Sequence, residues 1–125
     1  MRTERVLLEA FEGGAIDPKA FNHRDHLKVA WAMLAAEQRP FHEAYSAYRA
    51  GLVRLTVTAG APEKFSETQT LGWLALVHGA VAQTGETSDW NRFEARAGLH
   101  GRSLMDRYPE GRLDDPVTRT GLILP

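Results

Sequence analysis

Apolar residues in this chain recur at steps of three and four, and runs that alternate apolar with polar, as a half-buried strand requires, are scarce. Phe41, Tyr45, Tyr48, Leu52 and Leu55 show the pattern most plainly, forming one stripe on a helix of 3.6 residues per turn. Such spacing predicts an all-α fold. With no long linker, repeat or low-complexity tract, residues 1–125 read as one compact helical bundle of about four main helices plus short C-terminal helices.

Glycine and proline set the boundaries. The first helix covers about residues 3 to 11 and stops at Gly13-Gly14. Asn22 is the N-cap of a second helix running to about Gln38, before Arg39-Pro40 breaks it. Pro40 suits the first turn of the third, which ends near Ala59-Gly60. A fourth begins at about Ser66, where Ser66-Glu67-Thr68-Gln69 has capping-box spacing, and reaches about Gln83 before Gly85. Two shorter helices follow, at about 89–97 and 103–108. Asp115-Pro116 then signals a last helix start, and the apolar end Leu122-Ile123-Leu124-Pro125 is expected to dock on the body.

Composition excludes several function classes. A net charge of -1 gives no general attraction to DNA, RNA or anionic membrane, so no nucleic-acid or membrane partner is expected. There is no cysteine, hence no thiolate metal site, iron–sulfur cluster or cysteine nucleophile, and any metal must rely on His, Asp and Glu. No apolar run approaches the roughly 18 residues a membrane span needs, and Met1-Arg2-Thr3-Glu4-Arg5 leads into a short amphipathic segment unlike a signal peptide. A cytoplasmic protein is the simplest expectation.

Within this frame the run Phe21-Asn22-His23-Arg24-Asp25-His26 carries the chemistry. Stepping 100° per residue puts His23, Leu27, Ala30 and Leu34 on the buried stripe of the second helix, His26, Met33 and Glu37 on one flank and Trp31 on the other. Arg24, Asp25, Lys28 and Ala32 fall on the opposite, water-facing side. On the fourth helix Ser66, Thr70, Trp73, Val77 and Val81 form the core stripe, edged by Glu67, Leu71, Leu74 and His78. In an up-and-down bundle the second and fourth helices run the same way, which lets Glu67 meet the histidine pair.

Two neutral imidazoles and a carboxylate supply three ligands to Zn²⁺ or Fe²⁺ and leave positions open for water and substrate. His23, His26 and Glu67 are therefore the expected metal ligands, with Glu67 also a general base. Trp31, Ser66, Thr70 and Trp73 are the expected contacts to a small molecule. Each has a plainer role as well: helix-start histidines bonded to their neighbours, an acidic residue favoured by the helix dipole, a serine cap, aromatic core. His78 stands eleven residues beyond Glu67, a rise of about 16 Å, too far to share its metal. His42 and His100 belong to no constellation.

These stretches resemble a family of small uncharacterised bacterial helical proteins. Its members carry Phe-x-His-x-x-His followed by Ala-Trp, then Tyr-His-Glu-Thr-x-Thr at the head of a later helix, and an apolar end similar to Phe-Val-Leu-Pro. The corresponding residues here are Phe21 to His26 with Ala30-Trp31, Phe65 to Thr70, and Leu122 to Pro125, and His78 also falls where such proteins have histidine. Phe65 stands in place of tyrosine, and Ser66 in place of the histidine that would complete a three-histidine, one-carboxylate cluster. The resemblance implies the helical fold and the location of the site, not a reaction. The leading expectation is a small-molecule enzyme with a His/His/Glu metal site. The alternatives are a noncatalytic ligand-binding or accessory protein and a structural homodimer assembled through the apolar tail.

Overall fold

Every residue from Leu27 to Ala35 is buried. A helix on the surface of a bundle keeps a polar face, so a stretch buried all round must have neighbours on every side. The structure, a computed structural model describing residues 3–125, is built around this central helix. Met1 and Arg2, the start of the amphipathic segment, lie outside the described residues. The elements are α1 (Glu4–Gly13), α2 (His23–Trp31) continuing into a π-helical turn (Ala32–Ala36), α3 (Phe41–Thr58), α4 (Glu67–Thr84), α5 (Trp90–Ala97) and α6 (Val117–Thr120), with one 3₁₀ turn before α2, one before α4 and two between α5 and α6, and no strand among the described residues. The all-α bundle is thus as the spacing predicts. None of these helices is long and apolar enough to cross a membrane.

Helix ends follow the local chemistry. Asn22 caps α2 in a complete capping box: its side chain accepts from Asp25 N–H, and the Asp25 carboxylate accepts from Asn22 N–H. Gly14, with φ 73°, closes α1 in the left-handed conformation that glycine adopts without strain. Gly51 is needed for another reason, since a Cβ there would lie 2.2 Å from the buried Phe11 ring; its absence lets α1 and α3 approach.

Three expectations change. The second helix is α-helical only to Trp31, and the wider π turn keeps Ala32 to Ala35 buried among α1, α3 and α4, its alanines leaving room for the extra backbone. Lys28 and Ala32, expected to face water, are both buried: Ala32 by the helices around the π turn, and Lys28 on the side where α5 packs, its Nζ 5.7 Å from the centre of the Trp90 ring. The helix expected at 103–108 is one 3₁₀ turn, Met105–Arg107, since the glycines at 98 and 101 and Pro109 leave too few residues to nucleate more. The tail docks in part: Ile123 N–H donates to Thr68 Oγ1 at 3.0 Å and the Tyr108 hydroxyl to Ile123 O at 2.6 Å, while Leu122 and Leu124 stay exposed.

Candidate functional site

The first turn of α2, the last turns of α3 and the first turns of α4 line a half-open cavity of about 450 Å³. His23, His26, Ser66, Thr70 and Trp73 all line it. Five of the residues expected at a site are thus brought to one place. The remaining wall is chiefly apolar: Phe21 from the segment before α2, Leu52 and Leu55 from α3, and Phe65 from the segment entering α4.

Each imidazole is fixed by an aromatic neighbour. The His23 ring meets Trp73 edge-on with centroids 4.5 Å apart, and His26 lies tilted on Phe21 at the same separation. Phe21 in turn stacks on Phe11 in the core at 5.6 Å, so the His26 ring rests on a packed support. His23, expected on the buried stripe, is exposed, and His26 is half-buried; the partial desolvation of each favours the neutral form, lowering His23 and taking His26 down to about 4, with the neighbouring His23 adding to the effect and Asp25 opposing it. Near neutral pH the cavity therefore presents two uncharged imidazoles, each with one donor and one acceptor nitrogen.

The hydroxyls beside them are already committed. Ser66 Oγ donates to Thr118 O at 3.0 Å and accepts from Gln69 N–H, and Thr70 Oγ1 donates to Ser66 O at 2.7 Å. Ser66 is consequently a helix cap and an anchor for α6, with its proton engaged; as a cavity wall it offers a lone pair. Its capping box is half formed, because Ser66 accepts from Gln69 N–H while the Gln69 side chain lines the cavity.

Two expected site residues lie elsewhere. Glu67 is absent from the cavity wall; one position from Ser66, it is rotated about 100° around α4 and meets α3. There Arg49 Nε donates to its Oε1 at 2.8 Å and the Tyr45 hydroxyl donates to the same oxygen. Arg49 holds the Glu67 carboxyl below its ordinary range, and burial beside the carboxylate pushes Tyr45 up to about 12. The carboxylate expected as a third ligand or general base is thus engaged in an ion pair, and no group of three or more His, Asp or Glu among the described residues is placed to hold a metal ion. Trp31 is also outside the cavity. It is fully buried against Trp90 and Phe93, and its Nε1 donates to Glu86 O at 3.1 Å.

The α3 contribution is hidden in the sequence because Leu52 and Leu55 lie on the apolar stripe of their helix, and Lys64 is hidden because it enters through the 3₁₀ turn Pro62–Lys64. Pro62 just before the α4 cap is the available signal: so short a connection must fold its residues back over the helix start.

No protein-family model matches the chain, and neither a curated protein nor a solved structure matches it significantly. Nothing in these comparisons bears on the family resemblance of the two motifs.

Proposed function

We propose that the protein binds a small organic molecule, apolar over most of its surface with a few hydrogen-bonding groups, in the cavity between α2, α3 and α4. The observation that carries this reading is the cavity itself, a chiefly apolar wall along which the His23 and His26 side chains stand without hydrogen-bonded partners among the described residues. Its volume of about 450 Å³ falls in the roughly 300–1000 Å³ range of small-ligand pockets. His23 and His26 orient the molecule, while Leu52, Leu55 and Trp73 supply contact area. The support is for recognition, and the engaged Ser66 proton and the Arg49-bound Glu67 give no support to a nucleophile or carboxylate base at the cavity.

A metal-dependent reading draws on one feature: neutral imidazoles one turn apart are in the protonation state a metal requires. The donor set that faces the cavity is two imidazoles, short of the three protein ligands of a catalytic zinc site. A thermal-shift screen of small organic molecules, run with chelator and separately with Zn²⁺ or Fe²⁺, separates the readings. Stabilisation that persists in chelator and is lost in His23→Ala and His26→Ala is the expected result. Stabilisation by metal alone, abolished by the same substitutions and by Glu67→Gln, would replace the binding reading with the metal one.

A further inference from the structure

The chemistry of the cavity wall also specifies the charge of its occupant. Among the lining residues Lys64 carries the one formal charge, and no aspartate or glutamate contributes. Lys64 is exposed at the end of the turn Pro62–Lys64 and makes no ion pair within 4.0 Å among the described residues. A cationic group entering this cavity would meet a like charge and no carboxylate to offset it. An anionic group finds Lys64, two imidazoles and Gln69, all side chains with hydrogen-bond donors, along the same wall.

We propose that the cavity takes an amphipathic organic anion, its apolar body against Leu52, Leu55 and Trp73 and its carboxylate, sulfonate or similar group beside Lys64. This rests on the small-molecule reading above and adds the sign of the ligand. The apolar surface supplies most of the affinity, and the ammonium selects the anion over a neutral body of the same shape.

Two fluorescent probes sharing an anilinonaphthalene body test this: 1-anilinonaphthalene-8-sulfonate, which is anionic, and N-phenyl-1-naphthylamine, which is neutral. Dissociation constants are measured at low ionic strength for wild type, Lys64→Gln and Thr56→Phe, the last placing a ring in the cavity; Leu55→Trp is a second occluding variant if Thr56→Phe fails to fold. Lys64→Gln is expected to weaken the sulfonate probe by about three- to tenfold and leave the neutral probe within about twofold, as for one partly screened charge-assisted contact. Occlusion is expected to weaken both. If Lys64→Gln shifts the two probes equally, or neither, while occlusion weakens both, the anion proposal is overturned and the cavity reading stands. Binding of both probes unaffected by occlusion, or no binding, overturns the cavity reading and this inference with it.

Discussion

Acidification from pH 7 to pH 5 should destabilise this protein in a way attributable to one side chain. In the folded protein His26 protonates at about 4, against 6.5 for the ordinary imidazole. Between those values the unfolded chain takes up a proton that the folded protein refuses. His26 therefore costs nothing well above pH 6.5, and stability falls as the pH drops through 6.5 and levels off below 4. Integrating the proton uptake gives a loss of about 2 kcal/mol between pH 7 and pH 5, of a total of about 3 kcal/mol. His23 is displaced in the same direction and adds to the loss. The carboxylates of Glu67, Glu86 and Glu94 are all held below their ordinary range, so their contributions disappear at lower pH, outside this window. Urea unfolding followed by circular dichroism at pH 7, 6 and 5, on wild type and on His26→Gln, measures the effect. Glutamine keeps a hydrogen-bonding group and removes the titration, so most of the pH dependence should vanish in the variant. Equal stability of wild type at pH 7 and 5, or an equally steep fall in His26→Gln, would refute the half-buried neutral imidazole; so would a His26 proton resonance titrating near its ordinary value.

Glu67→Gln should lower stability by about 1–2 kcal/mol through loss of the Arg49 and Tyr45 contacts while leaving cavity binding unchanged, checked by denaturation and by titration with the neutral naphthylamine probe. Gly51→Ala should cost about 2–3 kcal/mol, because the new methyl falls 2.2 Å from a Phe11 ring that is itself packed on Phe21 and Tyr48; a melting temperature unchanged from wild type would show that α1 and α3 separate freely.

What the sequence disclosed depended on how local the cause was. Caps are local: Asn22 with Asp25, Ser66 with Gln69 and the glycines at 14 and 85 act through residues a few positions away, and their helix ends fall close to where spacing predicts. The meeting of His23 and His26 with Ser66, Thr70 and Trp73 was also legible, because it needs only two stripes on neighbouring helices whose starts lie at one end. Partner choice was not. Glu67 belongs by spacing to the edge of the same stripe, but whether an edge residue turns to α2 or α3 depends on which neighbour offers a counter-charge, and Arg49 with Tyr45 one turn before it does so. Lys28 is hidden by α5, an element more than fifty residues away, and Trp31 packs on that side with its indole N–H on the Glu86 carbonyl. The π turn depends on burial from three directions, which no single-helix projection contains.

Whether a ligand binds in the cavity on the histidine side of α2 can be read from the three tryptophan indole N–H resonances during titration with the most stabilising compound of the thermal-shift screen. Trp73 lines the cavity and touches His23, whereas Trp31 and Trp90 are buried together on the α5 side. Binding there should give a saturable shift of the Trp73 resonance with Trp31 and Trp90 nearly stationary. A stationary Trp73, or shifts of Trp31 and Trp90 as large as its own, would contradict it.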